Sequence, residues 1–182
     1  SEIITLPLEM NETKITINDE MKNNLAEGRD EFGRITQNWD FQSLAGAGAL
    51  KSSTSDMVKY ISAQLKFTET SLTQAIELTH KKRHEKYPVG QGDNPIGVGL
   101  GWIINTNPEG ETYWHKGGTG GYRSYIGFNK SLQKGAIVLA TGYDPSDIGA
   151  YLMFADSLQE LKRSLSIELA KRIDQQGIEK AE

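Results

Sequence analysis

The chain has 182 residues with a hydrophobic fraction of 37% and a charged fraction of 24%, a size and composition typical of one globular domain. Its net charge of -4 and the lack of a basic stretch on one face argue against a nucleic-acid-binding protein. The absence of cysteine excludes disulfides, thiolate nucleophiles and cysteine metal sites, and no apolar run approaches the roughly 20 residues of a membrane span.

Residues 1–95 are predicted to be mainly helical and irregular, with one short strand. Alternating residues over 13–17 predict a half-buried strand, and Asn18 begins a turn into a brief helical segment. Residues 27–40 are polar and broken by glycine and asparagine, which predicts an irregular surface loop. The small residues of 44–50 predict a tight turn that passes close to other backbone in a buried place.

Two helices are predicted next. The first begins among the N-cap candidates of residues 52–56 and ends near Lys66. Its apolar face is predicted to contain Met57, Tyr60, Ile61, Gln64 and Leu65. The second helix covers residues 70–86, where His80 and His84 are spaced i, i+4 and could share one face with a metal ion. Without a nearby third ligand, we interpret this stretch as a solvated helix end and predict no metal site.

Residues 96–182 are predicted to form an antiparallel sheet of about four strands covered by a C-terminal helix, an α+β fold. The helix is expected to begin at Pro145 and to present a broad apolar face. Glycines alternate along the first strand, which indicates close approach to another segment. The predicted strands are 96–105, 111–116, 122–129 and 136–141, with a hairpin at 130–135 between the last two.

A glycine-rich stretch from Trp114 to Tyr122 lies between two of these strands. Such a cluster indicates that a substrate or a neighbouring segment approaches the backbone closely. From the residues alone, an ordinary tight hairpin carrying a surface histidine is the preferred interpretation.

The residues nevertheless resemble a known family. The block of residues 44–57 resembles the small-residue turn and helix start of serine β-lactamase-like proteins, the class C β-lactamase, DD-peptidase and esterase superfamily. Residues 99–102, 115–122 and 126–128 look like the sheet that lines the active site of that superfamily, and residues 8–13 like the segment before it. The resemblance implies a β-lactamase/transpeptidase-like α+β fold, with residues 1–182 as the C-terminal part of one domain.

The resemblance also implies a site. The family uses a Ser-x-x-Lys nucleophile and base, a Tyr-x-Asn proton carrier and a Lys-Thr-Gly strand, and His115-Lys116-Gly117 stands at the third motif. It implies catalytic positions at His115, Gly117 and Gly118, with the Gly118 N–H as an oxyanion donor, because glycines let a substrate carbonyl reach the backbone. The implied substrate-binding residues are Lys116, Thr119, Gly120 and Tyr122. No cofactor is implied.

The chain departs from the family pattern at the other two motifs. It contains no Tyr-x-Asn, and its sole Ser-x-x-Lys, residues 131–134, falls in a predicted hairpin too solvated to make a lysine a base. Ser124 has the wrong spacing for a nucleophile elbow. We therefore expect no nucleophile here, and a chain that is inactive alone: a fragment of a serine hydrolase acting on a β-lactam, a D-amino-acid peptide or an ester.

The alternative is a non-catalytic binding module of the same fold that recognises cell-wall peptide or a protein partner. The start at Ser1, without an initiator methionine or a signal-like segment, is interpreted as a cut. The expected partners are the substrate of the parent enzyme, the missing N-terminal portion of the domain, and a second copy through an exposed sheet edge. The family resemblance implies a periplasmic or extracellular location.

Overall fold

The computed structural model describes residues 2–30, 32–86 and 96–142. Within them, six antiparallel strands form one sheet in the order β1-β2-β3-β4-β5-β6, with short helices before it in the chain. The α+β prediction is confirmed, although the sheet has more strands than the four expected. The helix predicted from Pro145 lies outside the described residues.

The helices are α1 Glu2–Thr5, α2 Asp19–Asn24, a 3₁₀ helix Gln42–Ala47, α3 Thr54–Gln64 and α4 Thr73–His80. The strands are β1 His84–Lys86, β2 Ile96–Val98, β3 Ile103–Asn107, β4 Gly110–Thr119, β5 Tyr122–Asn129 and β6 Lys134–Thr141.

The last three strands form two consecutive hairpins. β5 has the predicted bounds, and β6 begins two residues before the predicted 136. β4 continues through Gly117, Gly118 and Thr119, which were expected to belong to a turn. The reason is pairing: these three residues lie opposite residues of β5, and the ladder ends only at Thr119 and Tyr122.

The single strand predicted over residues 96–105 is divided into β2 and β3. The chain turns at Gly101, whose φ of 79° suits glycine, and the Gly99 N–H donates to Trp102 O at 2.8 Å. The predicted close approach is observed at two of the three glycines. A Cβ at Gly97 would lie 2.7 Å from the Lys82 side chain, and one at Gly99 would collide with Thr79 O.

Segments before α3 contain less strand and more helix than expected, since α1 and the 3₁₀ helix were not predicted. The predicted strand at 13–17 is wrong, because only Lys14 forms a bridge, with Lys51. Side-chain contacts to α3, described below, hold this segment instead. The brief helix after Asn18 is confirmed as α2, whose N-cap Asn18 Oδ1 accepts from Met21 N–H at 2.8 Å. The expected irregular loop at 27–40 is also observed, with one bridge between Arg29 and Ile35.

Helix α3 covers one end of the sheet. The Asp56 N–H donates to its N-cap, Ser53 Oγ, at 3.2 Å, as the predicted cluster of capping residues requires. Ile61 reaches the sheet because Gly135 has no side chain, and a Cβ there would lie 2.6 Å from Ile61 Cγ2. The resulting apolar core contains Ile61, Leu65, Trp102, Ile104, Tyr113 and Phe128. Beyond this core the same sheet face is exposed at Gly117, Ser124 and Leu139, which lie side by side.

Helix α4 is shorter than the predicted 70–86. It ends at His80, and His84 begins β1, so the two histidines do not share a helix face. The solvated-end interpretation is wrong for His80, which is 6% exposed, whereas His84 is exposed. Among residues 2–30, 32–86 and 96–142, no group of three potential metal ligands occurs. In that same part of the chain, no helix has the length and apolarity needed to cross a bilayer.

Candidate active-site cavity

A cavity of about 700 Å³ lies over the open end of the sheet. One wall comes from strands β4, β5 and β6, and the other comes from three segments that end at the first residue of α3, Thr54. The strand wall contains Gly117, Gly118, Thr119, Tyr122, Arg123, Ser124, Leu139, Ala140 and Thr141. The facing segments contribute residues 24–26, then Asn38, Trp39 and Phe41, and finally residues 47–54.

The cavity borders the half of β4 that pairs with a described strand on one side only. Pairing of β4 with β3 ends at Trp114, whereas pairing with β5 continues to Thr119. Because Thr119 and Tyr122 pair across a two-residue loop, their backbone groups must bond to each other. In an antiparallel strand, the backbone N–H and C=O groups of successive residues point to opposite edges. The groups of Thr119 point to β5, so the N–H of Gly118 points to the opposite edge of β4, which no described strand covers.

The two glycines of this strand keep the wall flat. A Cβ at Gly117 would lie 2.9 Å from Ser124 Oγ, and one at Gly118 would lie 3.4 Å from Arg123 Nη1. Both glycines are exposed and line the cavity. A ligand can therefore approach the β4 backbone here without displacing a side chain of the strand itself.

The structure brings together four of the seven predicted site residues. Gly117, Gly118, Thr119 and Tyr122 line the cavity, whereas His115, Lys116 and Gly120 do not. His115 is exposed and lies on the sheet face of Gly117, two residues before it. Their predicted roles in catalysis and substrate binding stay predictions.

The Gly120-Gly121 turn makes close contacts with the loop at 27–40. The Gly121 carbonyl accepts from Arg29 N–H at 3.2 Å, and the Gly120 carbonyl accepts from Thr36 Oγ1 at 3.1 Å. A Cβ at Gly121, where φ is 86°, would lie 2.6 Å from Arg29 N, and one at Gly120 would lie 2.5 Å from Trp39 Nε1. A neighbouring segment of the same chain thus accounts for these two glycines.

Tyr122 connects the two walls. Its hydroxyl donates to Ala26 O at 2.7 Å while the residue itself lines the cavity. Trp39 stands on the facing wall, 58% exposed, with its ring centroid 5.9 Å from that of Phe41. The turn contacts and the Tyr122 hydrogen bond therefore hold an aromatic pair at the cavity.

The charged residues that line the cavity are both cations. Lys51 Nζ donates to Ile15 O at 3.2 Å and Ala49 O at 3.4 Å. Arg123 Nη1 donates to the carbonyls of Thr119 and Tyr122 at 3.0 and 2.8 Å. No aspartate or glutamate is among the described lining residues, so the cavity favours an anionic ligand.

The Ser-x-x-Lys sequence lies elsewhere. Ser131 is in the turn between β5 and β6, and Lys134 begins β6; both are exposed, and neither lines the cavity. The residues that sequence reasoning did not propose are those of the facing wall, such as Trp39 and Ser52. Ser52 belongs to the block at 44–57 that carries the family resemblance, whereas Trp39 lies outside it. Residues 44–50 were expected in a buried passage, but the structure places them mostly at the surface, with Ala49 buried and residues 47–50 along this cavity.

Comparisons with known proteins agree with this fold. A family model described as Beta-lactamase matches residues 1–156. No curated protein matches the sequence. Solved structures of similar fold include a class C beta-lactamase (19% identity, TM-score 0.70, 79% of this chain and 46% of that one). Two others are a beta-lactamase/D-alanine carboxypeptidase from Pseudomonas syringae (17%, 0.71, 80% and 48%) and the D-alanine carboxypeptidase AmpC from Burkholderia cenocepacia (17%, 0.69, 79% and 49%).

The chain spans about half the length of these structures, and at such identities the likeness shows the fold alone. The family model, in contrast, covers most of the chain. The chain belongs to the beta-lactamase family.

Proposed function

We propose that this chain is part of a serine hydrolase of the β-lactamase and penicillin-binding-protein-like superfamily. The parent acts by acyl-serine chemistry on a β-lactam, a D-amino-acid peptide or an ester. The observation that carries the proposal is the N–H of Gly118, which faces the edge of β4 left open by the described strands, beside a cavity lined by glycine. A tetrahedral acyl intermediate needs such a preorganised donor for its oxyanion.

In this proposal Gly117 and Gly118 form the oxyanion wall. His115 donates a hydrogen bond to the substrate or to the tyrosine of the missing motif. Lys116, Thr119, Gly120 and Tyr122 bind the substrate, and the cations that line the cavity favour a carboxylate on it. The reaction requires no cofactor.

The attacking serine is proposed to come from the missing N-terminal portion of the domain, because residues 131–134 lie in an exposed turn away from the cavity. That portion, or a second copy, would also pair with β6, the outer strand of the described sheet. Residues 135–141 of β6 carry no charge that would oppose such pairing. Sedimentation of the isolated chain as a compact monomer would count against self-association. We place the parent outside the cytoplasm, where cell-wall peptides are found.

Labelling with a fluorescent penicillin tests the proposal. The 182-residue chain is expected to remain unlabelled, and the parent encoded by the full reading frame to be labelled at a serine outside these residues. Labelling of the chain itself, or no labelling of the parent by penicillin or by a fluorophosphonate, would overturn the proposal.

A pair of substitutions at Gly118 tests the oxyanion role in the parent. Gly118→Pro removes the N–H at the free edge, and proline is tolerated where the N–H of an edge strand points outward. Acylation is expected to slow about 10²- to 10³-fold, the usual effect of losing one oxyanion donor. Gly118→Ala keeps the N–H and places its Cβ in acceptable contact with Arg123, so its rate should stay close to that of the parent. Equal rates for the two variants would contradict the assignment.

The second candidate is a binding module without turnover. It is favoured by one observation: the cavity has both of its walls although no Ser-x-x-Lys lies beside it. A parent that binds a D-alanyl-D-alanine peptide, is not labelled and does not cleave the peptide would establish this function in place of the first.

A further inference from the structure

A chain of hydrogen bonds runs from a buried carboxylate to the cavity. Asp56 is 1% exposed, and its Oδ2 accepts from Glu12 N–H at 2.8 Å and from Thr13 Oγ1 at 2.9 Å. Its Oδ1 accepts from Lys59 Nζ at 3.2 Å. The Thr13 hydroxyl oxygen lies 2.7 Å from Ser52 Oγ.

The carboxylate fixes the direction of this chain. An ionised carboxylate only accepts, so the single hydroxyl hydrogen of Thr13 must point to Asp56. The oxygen of Thr13 is then the acceptor, and the hydrogen of Ser52 must point to Thr13. The other acceptor near Ser52 is the carbonyl of Ser53, at a longer 3.4 Å. Ser52 therefore keeps only oxygen lone pairs for any further contact.

Ser52 is one of the residues that line the cavity. The strand wall carries a backbone donor, the N–H of Gly118, and the lining cations Lys51 and Arg123 are also donors. Ser52 differs from these donors, because its hydroxyl hydrogen is bonded to Thr13 and it can only accept a hydrogen bond from a ligand. Ser52 is thus a position of the cavity at which a hydrogen-bond donor on the ligand finds an acceptor.

We infer that Ser52 is a specificity-determining residue that accepts a hydrogen bond from an amide N–H of the substrate. This inference deepens the proposed function and rests on it: within the three substrate classes named above, it selects D-amino-acid peptides over esters, and among β-lactams it applies to those with an acylamino side chain, because the ring nitrogen carries no hydrogen. Thr13 and Asp56 act through Ser52 and are positioning residues. An ester has an oxygen in place of the N–H, and two facing acceptors gain no hydrogen bond.

Two anionic probes that differ in one group test the inference. N-acetyl-D-alanine carries the amide N–H, and O-acetyl-D-lactate replaces it with an ester oxygen. Their dissociation constants can be measured on the ¹⁵N-labelled chain from the amide shifts of Gly117 and Gly118. One neutral hydrogen bond predicts that the amide binds about three- to tenfold more tightly.

Three variants locate the source of that preference. Ser52→Ala should remove it, because the acceptor is lost. Thr13→Val should reduce it, because the Ser52 hydrogen becomes free to donate to an ester oxygen. Ser55→Ala, which changes an exposed serine of α3 outside the cavity, should keep it. A thermal melt of each variant checks that the fold is retained.

The outcomes separate the inference from the proposed function. Equal affinities of the wild-type chain for the two probes would overturn the role of Ser52 and leave the cavity as a ligand site. A preference that survives Ser52→Ala would overturn it as well. Failure of both probes to bind at millimolar concentration would overturn the inference and would count against the cavity as the substrate site. The acyl-serine proposal is tested independently, by labelling of the parent.

Discussion

The buried histidine at the end of α4 makes the stability of the chain depend on pH. His80 Nε2 lies 2.8 Å from Gln64 Oε1, and its Nδ1 has no hydrogen-bond partner among the described residues. Its ring centroid lies 4.9 Å from that of Tyr113 and 5.2 Å from that of Phe128. A proton on this ring would therefore place a charge in an apolar site.

Burial lowers the pKa of His80 from 6.5 to about 4, and the positive charge of Lys130 adds to the shift. Glu77 opposes it, and Lys66 adds a smaller contribution. Between these two pH values the unfolded chain binds a proton that the folded chain does not. The contribution of His80 to the free energy of unfolding is therefore fully present above pH 6.5 and is lost as the pH falls towards 4. At about 1.4 kcal/mol per pH unit, the loss is about 3 kcal/mol.

Urea unfolding of the chain at pH 7 and pH 4 measures this loss. His80→Phe keeps an aromatic ring in the core and removes the titrating group, so its unfolding free energy should fall by about 3 kcal/mol less than that of the wild type over this interval. Its stability at pH 7 should itself be lower, because Gln64 Oε1 loses its partner. His84→Gln, at an exposed position, should retain the wild-type pH dependence. The same pH dependence in wild type and His80→Phe would refute the reasoning.

Two further predictions concern stability. Gly121→Ala places a side chain at a φ of 86° and against the backbone of Gly28 and Arg29, so its unfolding free energy should drop by about 2–4 kcal/mol, as for a strained and crowded position. Gly101→Ala, with a φ of 79° and nothing within 4 Å of the new Cβ, should cost only about 1 kcal/mol; equal losses in urea unfolding would show that the loop does not crowd the turn. Asp56→Asn should cost about 2–4 kcal/mol, because it weakens acceptance from Thr13 and removes the charge opposite Lys59, which keeps its hydrogen bond to Glu9 O, whereas Asp19→Asn in the exposed pair with Lys22 should change stability by less than about 0.5 kcal/mol. Similar effects at both aspartates in a thermal melt would contradict the buried role of Asp56.

Local sequence signals predicted the parts of the fold that depend on neighbours in the chain. The strand predicted at 122–129 has the observed bounds of β5, and the capping serine before Asp56 located the start of α3. The glycines at 117 and 118 were misleading, since glycine suits both a turn and a flat strand, and only pairing with β5 decides between them. The end of α4 was missed for a similar reason. The basic run after His80 suits a helix end, but β1 forms there by pairing with β2.

The candidate site was predicted on one side only. The family resemblance located Gly117 to Tyr122, and four of these residues line the cavity. The facing wall depends on contacts between residues far apart in sequence, such as Thr36 with Gly120 and Tyr122 with Ala26. No local pattern encodes such contacts, so Trp39 and Ser52 could not be assigned from sequence. The direction of the Ser52 hydroxyl required the atomic positions of Thr13 and Asp56.

Two of the hydrogen bonds that connect β5 and its turn to the segments before α3 join residues 84 and 96 positions apart. Closing such long loops costs more conformational entropy than forming a hairpin or a helix, so we expect these contacts to form after the local elements. The β4–β5 hairpin and α3 can form from local contacts, but the cavity between them and the loop at 27–40 cannot. The binding surface is thus assembled late, and the contacts that complete it are among the first to open when the folded chain fluctuates.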